Sequence, residues 1–335
     1  MAARPAMVTV TRALWTIGIL VLLWACRRFG TAIGDYYFRI MILSGLSIIL
    51  AVSLNIVNGF AGQFSLGHAG FMAVGAYTSA ALTHYKGQAI VSSLTTLGVS
   101  DSAANTGLLG LAIALGAACA ALTGLCVSLP SFRLRGDYLA IVTLGFGEVV
   151  RVVLLNIDAV GGPRGLGNIP TITSFAWVYG FAIATVVISR NLALSSRGRA
   201  LFALRDDEVA AQCVGVNVLR SKVMAFVIGA SLAGVAGALY AHYDGYIAPN
   251  GFGFMKSIEI VVMVVLGGMG SVTGAVIAAI VLTGLPEALR AASEYRMVLY
   301  SALIIVLMLK RPQGIFGRRE MSLNQLKSFW SRGKS

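Results

Sequence analysis

The strongest constraint on this chain is its alternation of long apolar blocks with short connections that are charged or rich in glycine. A bilayer span needs roughly 20 mostly apolar residues, and eight or more such blocks follow one another along the 335 residues. With 57% hydrophobic and 12% charged residues, no room is left for a soluble domain of ordinary size. The expected fold is an all-α polytopic membrane protein of about eight to ten transmembrane helices, since only helices and closed barrels satisfy their backbone in lipid. Spans are read at about 12–26, 37–57, 108–129, 138–156, 172–191, 224–243 and 296–309, with further apolar stretches after residue 68 and between Met255 and Arg290. Glycine-broken helices are expected near 58–68 and 267–271. The first span ends at Arg27 and Arg28 instead of a small-residue cleavage site, so it reads as retained, with a signal-anchor role left open.

Charge gives the orientation. The net charge of +13 comes from basic residues gathered in loops and tail beside apolar spans, which is a matter of topology and anionic lipid, not of nucleic acid. The densest charged segment is the loop 190–222, with six Arg and Lys between Arg190 and Lys222. The positive-inside rule makes it cytoplasmic. Its middle, Asp206–Val214, predicts a short helix lying at the membrane face. Asp206, Asp207 and Glu208 follow Arg205 at that helix start, where acids favour the dipole. They serve either as solvated caps or as contacts to a basic partner groove. Arg133 and Arg135 mark a second cytoplasmic corner. The tail, 318–335 and the residues just before it, is basic and also cytoplasmic: seven Lys and Arg follow Leu309 against Glu320 alone. Leaving the cytoplasm after Lys222 and returning there takes an even number of crossings. The block from Met255 to Arg290 must then form two short helices or a re-entrant pair, broken at GGMGS, Gly267–Ser271.

The segment NGFAGQFSLGHAGFMAVGAYTSA, Asn58–Ala80, opens with three glycines in ten residues and carries Gln63, Ser65 and His68 before turning apolar. It is either a plain loop before the next span or an irregular stretch lining a polar cavity, the condition under which broken backbone is tolerated at membrane depth. Two interrupted helices point to a pathway near mid-depth. Its candidate residues are Gly62, Gln63, Ser65, Gly67, His68, Gly267, Gly268, Gly270 and Ser271. His68 is a hydrogen-bonded packing residue or a proton relay. Residues 85–106 read as a polar outer loop, and 158–170, rich in Gly and Pro, as another. Ala230, Gly234, Ala238 and, one face over, Ala233, Gly237, Ala241 form two small-residue stripes, which predict close helix packing on two sides. Glu148 and Arg151 stand at i, i+3 and can pair within the membrane, as can Glu259 with Lys256.

Catalytic chemistry is missing. The three histidines, His68, His84 and His242, have no metal-ligand spacing, and no metal site is expected. Cys26, Cys119, Cys126 and Cys213 form no CxxC, and Cys119 and Cys126 read as packing residues. GKS at Gly333–Ser335 mimics the end of a phosphate loop, but Ser328 stands where the first glycine is needed. The chain therefore has no catalytic residues and no nucleotide site of its own.

Six stretches in order carry a resemblance. They are GFAGQFSLGHAGFMAVGAYTSA, FRLRGDYLAIVTLGFGEVVRVVL, GGPRGLGNIP, the loop 190–222, EIVVMVVLGGMGSVTGA and KRPQGIFG. Together they resemble the membrane permease subunits of branched-chain amino acid ABC importers over about Leu46–Gly317, and the run Arg135–Glu148 resembles the M-type member of the H/M pair. The resemblance implies a permease transmembrane domain at 37–317, after an N-terminal span and connection at 1–36, in a multi-pass protein of the bacterial cytoplasmic (inner) membrane. It implies alternating access driven from outside this chain. The partners would be a related H-type permease, two cytoplasmic ATPase subunits holding ATP and Mg, and an external substrate-binding protein. Glu208, Ala210, Ala211 and Gly215 are similar to the EAA…G signature whose helix sits in an ATPase groove, with Val209 as an extra residue in the spacing. Arg205, Asp206 and Asp207 would make rim contacts there.

Neighbouring readings are a urea, short-amide or sugar importer of the same superfamily, and a secondary transporter without ATPases, in which Glu148 and Glu259 would serve proton coupling. A helix protruding from loop 190–222 distinguishes the importer, because a secondary transporter does not require one.

Overall fold

A computed structural model describes residues 34–96, 98, 100–131 and 137–289, with scattered positions from 298 to 314. The expected span at 12–26, most of that at 296–309, Arg133, Arg135 and the basic tail lie outside the described residues.

Ten α-helices run in order among the described residues: α1 Asp35–Asn55, α2 His68–Thr96, α3 Asp101–Ser131, α4 Asp137–Leu155, α5 Phe175–Leu194, α6 Ser196–Asp206, α7 Glu208–Cys213, α8 Val218–Asp244, α9 Phe254–Gly267 and α10 Val272–Ala288. Short 3₁₀ turns at Asp158–Val160, Gly162–Arg164 and Pro249–Phe252 join them. Among the described residues there is no strand, and β pairing is limited to one bridge, Leu166 with Ile247. Six helices among the described residues are long and apolar enough to cross a membrane, the first being Asp35–Phe60 with a mean hydropathy of 2.4. The chain is an all-α, multi-pass membrane protein.

Its two ends are tied differently. At one end the Arg39 guanidinium lies 3.0 Å from Asp244 Oδ1, the Tyr36 hydroxyl bonds to Glu287, and Thr173 N donates to His242 O. At the other end α5 stops, α6 and α7 cross, and α8 begins. This second end is called the loop end below. α1 is buried on nearly every side, whereas α4 and α5 expose most of their surface and form the apolar outside.

The two stripes on α8 pack as their spacing dictates. A methyl placed on Gly234 would lie 2.5 Å from Ala120 Cβ of α3, and one on Gly237 would lie 2.0 Å from Met72 O of α2. α2 and α8 meet backbone to backbone, since a methyl on Gly75 would fall 2.3 Å from Gly234 Cα. In lipid, where apolar surface gains little by facing protein, such close approach is what holds helices together. The expected pair between Met255 and Arg290 also forms: α9 runs to the loop end and α10 runs back, with Gly268–Ser271 as the turn. The Gly- and Pro-rich segment 158–170 is irregular apart from its 3₁₀ turns, as expected.

Two expectations need correction. Residues 85–106 are not a loop: α2 continues to Thr96 and α3 starts at Asp101, leaving only a short turn. The polar side chains that suggested a loop bond within the helix, Ser92 and Ser93 Oγ to Ala89 O and Thr95 Oγ1 to Ser92 O. The 31 residues of α3 at about 1.5 Å each reach roughly 46 Å, some 15 Å more than a hydrocarbon core of about 30 Å. The second correction concerns Asp206–Val214, which is not one helix. It divides at Asp207, whose backbone is extended and whose Oδ1 accepts from Val209 N (2.8 Å) and Ala210 N (3.0 Å).

Candidate functional site

The site forms at the loop end, where the first break, the second break and the segment 196–222 converge. α1 leaves its regular hydrogen bonding after Asn55 and widens into a π-helical turn, Ile56–Phe60, with Ala61 N on Ile56 O and Gln63 N on Val57 O. Such turns recur at functional positions in helices. Gly62 follows at φ +65°, a left-handed value that glycine adopts without steric cost. The second break has Gly268 at φ +101° and Gly270 at φ +95°.

Asn55 ties the breaks together: its Oδ1 accepts from Gly270 N at 2.8 Å. The approach is so close that a methyl on Gly59 would lie 2.1 Å from Asn55 Oδ1 and 2.4 Å from Gly270 N. Arg205, the penultimate residue of α6, is laid across both breaks. Its Nη1 donates to Gly59 O at 3.0 Å. Its stem covers Gly62, where a methyl would fall 2.6 Å from Arg205 Cγ, and a methyl on Gly270 would fall 2.9 Å from Nη1. Phe202 lies under the guanidinium, 5.2 Å from ring centroid to Cζ, and packs edge-on against Phe60. Arg205 is thus turned inward, with its side chain only 21% exposed, and pairs on its outer side with the solvent-exposed Asp206 at 3.4 Å.

The other coupling candidates surround this contact. Glu208 Oε2 receives a 2.9 Å bond from the buried Lys222 Nζ, which joins α7 to α8. Ala211 is buried beneath α7, while Ala210 and its neighbour Val209 face outward. Gly215 lies just beyond α7 at φ +84°, its N–H on Gln212 O, and so terminates the helix instead of lying within it. Val209 and Val214 are strongly exposed, as is Cys213.

Of the pathway candidates, His68 is buried at the start of α2 with Nε2 2.8 Å from Ser53 Oγ. Gly67 gives room to the α4 backbone, since a methyl there would lie 2.1 Å from Thr143 O. Gly267 packs on Gly274 in the same manner, and Ser271 caps α10 through Gly274 N. Gln63 and Ser65 are buried with Oε1 and Oγ unpartnered, as are Asn55 Nδ2 and Asn58 Nδ2. Four orphaned polar atoms in one stretch are costly in an apolar bundle. The breaks stand against α6, at the loop end. Glu148 and Arg151 pair at 2.7 Å, with Glu148 Oε1 also capping Phe254 N; Lys256 and Glu259 pair at 2.9 Å. Glu148 and Arg151 are remote in sequence from both breaks, whereas Lys256 and Glu259 lie on α9, the helix that ends at the second break. Among the described residues no cluster of metal-ligating side chains occurs. Cys119, Cys126 and Cys213 are free thiols.

Sequence reasoning overlooked Asn55, Asn58 and Thr143. An amide or hydroxyl inside a span is itself the signal, since it must find a partner in the bundle.

Comparison with known proteins agrees with this architecture. Residues 36–308 match the family model described as the branched-chain amino acid transport system / permease component. The high-affinity branched-chain amino acid transport system permease protein LivM of Escherichia coli is 36% identical over 92% of this chain and 75% of its own length. The LivM protein of Salmonella typhimurium is 36% identical over 86% of this chain and 71% of its own. The permease protein LivH of Escherichia coli is 38% identical over 46% of this chain and 50% of its own. No solved structure matches the chain. With a family model spanning most of its length, and LivM relatives at this identity, the chain belongs to the branched-chain amino acid transport permease family.

Proposed function

We propose that this chain is the M-type transmembrane subunit of an ATP-binding cassette importer that moves leucine, isoleucine and valine inward by alternating access. In this reading it pairs with an H-type permease, docks two cytoplasmic ATPases that carry ATP and Mg, receives cargo from an external binding protein and resides in the bacterial inner membrane. The observation that carries it is the segment 196–222. A capped short helix, α7, stands at the loop end with Val209 and Val214 exposed, and Arg205, two residues before its cap, reaches into both breaks. A protruding helix of this kind suits a groove on a second protein, as a rigid element able to pass on a displacement. The orphaned atoms of Asn58, Gln63 and Ser65 supply polar groups for cargo or water at the first break. Glu148 and Glu259, which a proton-coupled carrier would need, are each held by a cation.

The test is uptake of labelled leucine into proteoliposomes holding this permease, its partner permease, the ATPases and the binding protein. Uptake that requires ATP and is displaced by valine is the expected result. Displacement by urea or ribose alone would keep the architecture and change the cargo. ATP-independent uptake by this chain alone would overturn the reading.

A further inference from the structure

We infer that Arg205 is the positioning residue through which the segment 196–222 holds both helix breaks, so that a displacement of the segment reaches the two breaks as one movement. This rests on the importer reading above and adds to it a specific path inside this subunit.

Three contacts of one side chain carry the inference. The guanidinium donates to Gly59 O, a carbonyl at the end of the first interrupted helix, where a cation is favoured by the helix dipole. Its stem fills the space left by the missing side chain of Gly62. Its Nη1 stands over Gly270 of the second break, 2.9 Å from where a methyl would be. The two breaks are already bonded to each other through Asn55, so a load applied at either is shared. The arginine is also braced: Phe202 supports its plane, and Phe60, the last residue of the π-helical turn, packs on Phe202. On its outer side the guanidinium also pairs with Asp206 Oδ1 at 3.4 Å, yet the arginine side chain is only 21% exposed, where one serving only as a solvated charge would face water. The placement needs a planar fork. A lysine keeps the charge and one bond to Gly59 O, but it lacks the plane that rests on Phe202 and spans to Gly270. Glycine is required on the receiving side, because a side chain at Gly62 or Gly270 would occupy the volume the arginine takes.

The experiment uses the complete importer in proteoliposomes and reads ATP hydrolysed per leucine carried. For Arg205→Ala the ratio is expected to rise about tenfold, within the usual range for coupling between two sites, and Arg205→Lys should recover part of it. A purely structural role would lower hydrolysis and uptake together and leave the ratio as it was, and that outcome would overturn the inference. A second measurement does not depend on the variant folding. Spin labels at Val209 and Met269, both exposed, are placed in a chain with native Arg205 and the native cysteines replaced. Their separation is expected to stay the same between ATP-trapped and nucleotide-free states, because the segment and the second break move together. A separation that changes between those states would refute the linkage. Uptake without ATP would instead overturn the importer reading itself, so the two failures are told apart.

Discussion

Asn55 Oδ1 accepts the backbone N–H of Gly270 at 2.8 Å across 215 positions of sequence, with Asn55 fully buried and Gly270 partly so. The bond gives the second break a fixed partner that no residue within its own helices provides. Replacing Asn55 by leucine should strand the Gly270 N–H and cost about 1–3 kcal/mol, the usual penalty for an orphaned buried donor. Thermal unfolding of the detergent-solubilised protein would show a lower midpoint than wild type. An unchanged midpoint would mean that the N–H finds another acceptor.

Lys222 is more deeply buried than its partner Glu208, with 10% against 28% of the side chain exposed. Removing the acid therefore leaves an enclosed ammonium without its anion. Glu208→Ala should destabilise the α7–α8 corner by roughly 1–3 kcal/mol, and adding Lys222→Met should restore most of that loss. A double-mutant cycle read by amide exchange over 208–222 would measure the coupling; additive effects would show that the pair contributes nothing.

Gly215 ends α7 in the left-handed region, where an L side chain costs about 1–2 kcal/mol. Gly215→Ala should loosen the end of α7 and weaken recovery of the ATPases on affinity purification. Gly215→Pro, which cannot reach this φ and removes the N–H that bonds Gln212 O, should abolish recovery while the protein still inserts in the membrane. Full recovery with the proline variant would disconnect the α7 terminus from ATPase docking.

Glycines in the helices divide by what a methyl would meet. Gly75→Ala would drive its Cβ into the Gly234 backbone and should cost roughly 1–3 kcal/mol or more, because backbone on both sides has no rotamer to yield. Gly145→Ala on exposed α4 meets nothing within 4 Å and should be neutral or stabilising by up to about 1 kcal/mol. Melting both variants in the same detergent tests the contrast, which fails if they fall together.

The features legible in the sequence were those written as local patterns. The stripes on α8, the Glu148–Arg151 pair and the turn at Gly268–Ser271 each follow from spacing along a single helix or from one run of glycines. The extent of α2 and α3 was not legible, because hydropathy reports contact with lipid and not helicity. Ser92, Ser93 and Thr95 are polar, yet they sit in regular helix by bonding carbonyls three or four residues back. The division at Asp207 was visible only in part: three acids in a row announced a cap without saying which one supplies it. The direction of Arg205 was hidden altogether. Its partners Gly59 and Gly270 lie 146 positions before it and 65 after it, and no periodicity links residues that distant.

The glycine contacts among α2, α3 and α8 also set how this molecule distributes mechanical load. Where main chain rests on main chain, as at Gly75, Gly234 and Gly116, no layer of side chains exists that could change rotamer and absorb a shift. Such backbone-on-backbone packing makes that region stiff. Compliance is concentrated instead where α1, α9 and α10 lose their regular hydrogen bonds. On the importer reading, a small push at the loop end is expected to appear as bending at those two points, with the body of the bundle moving as one piece.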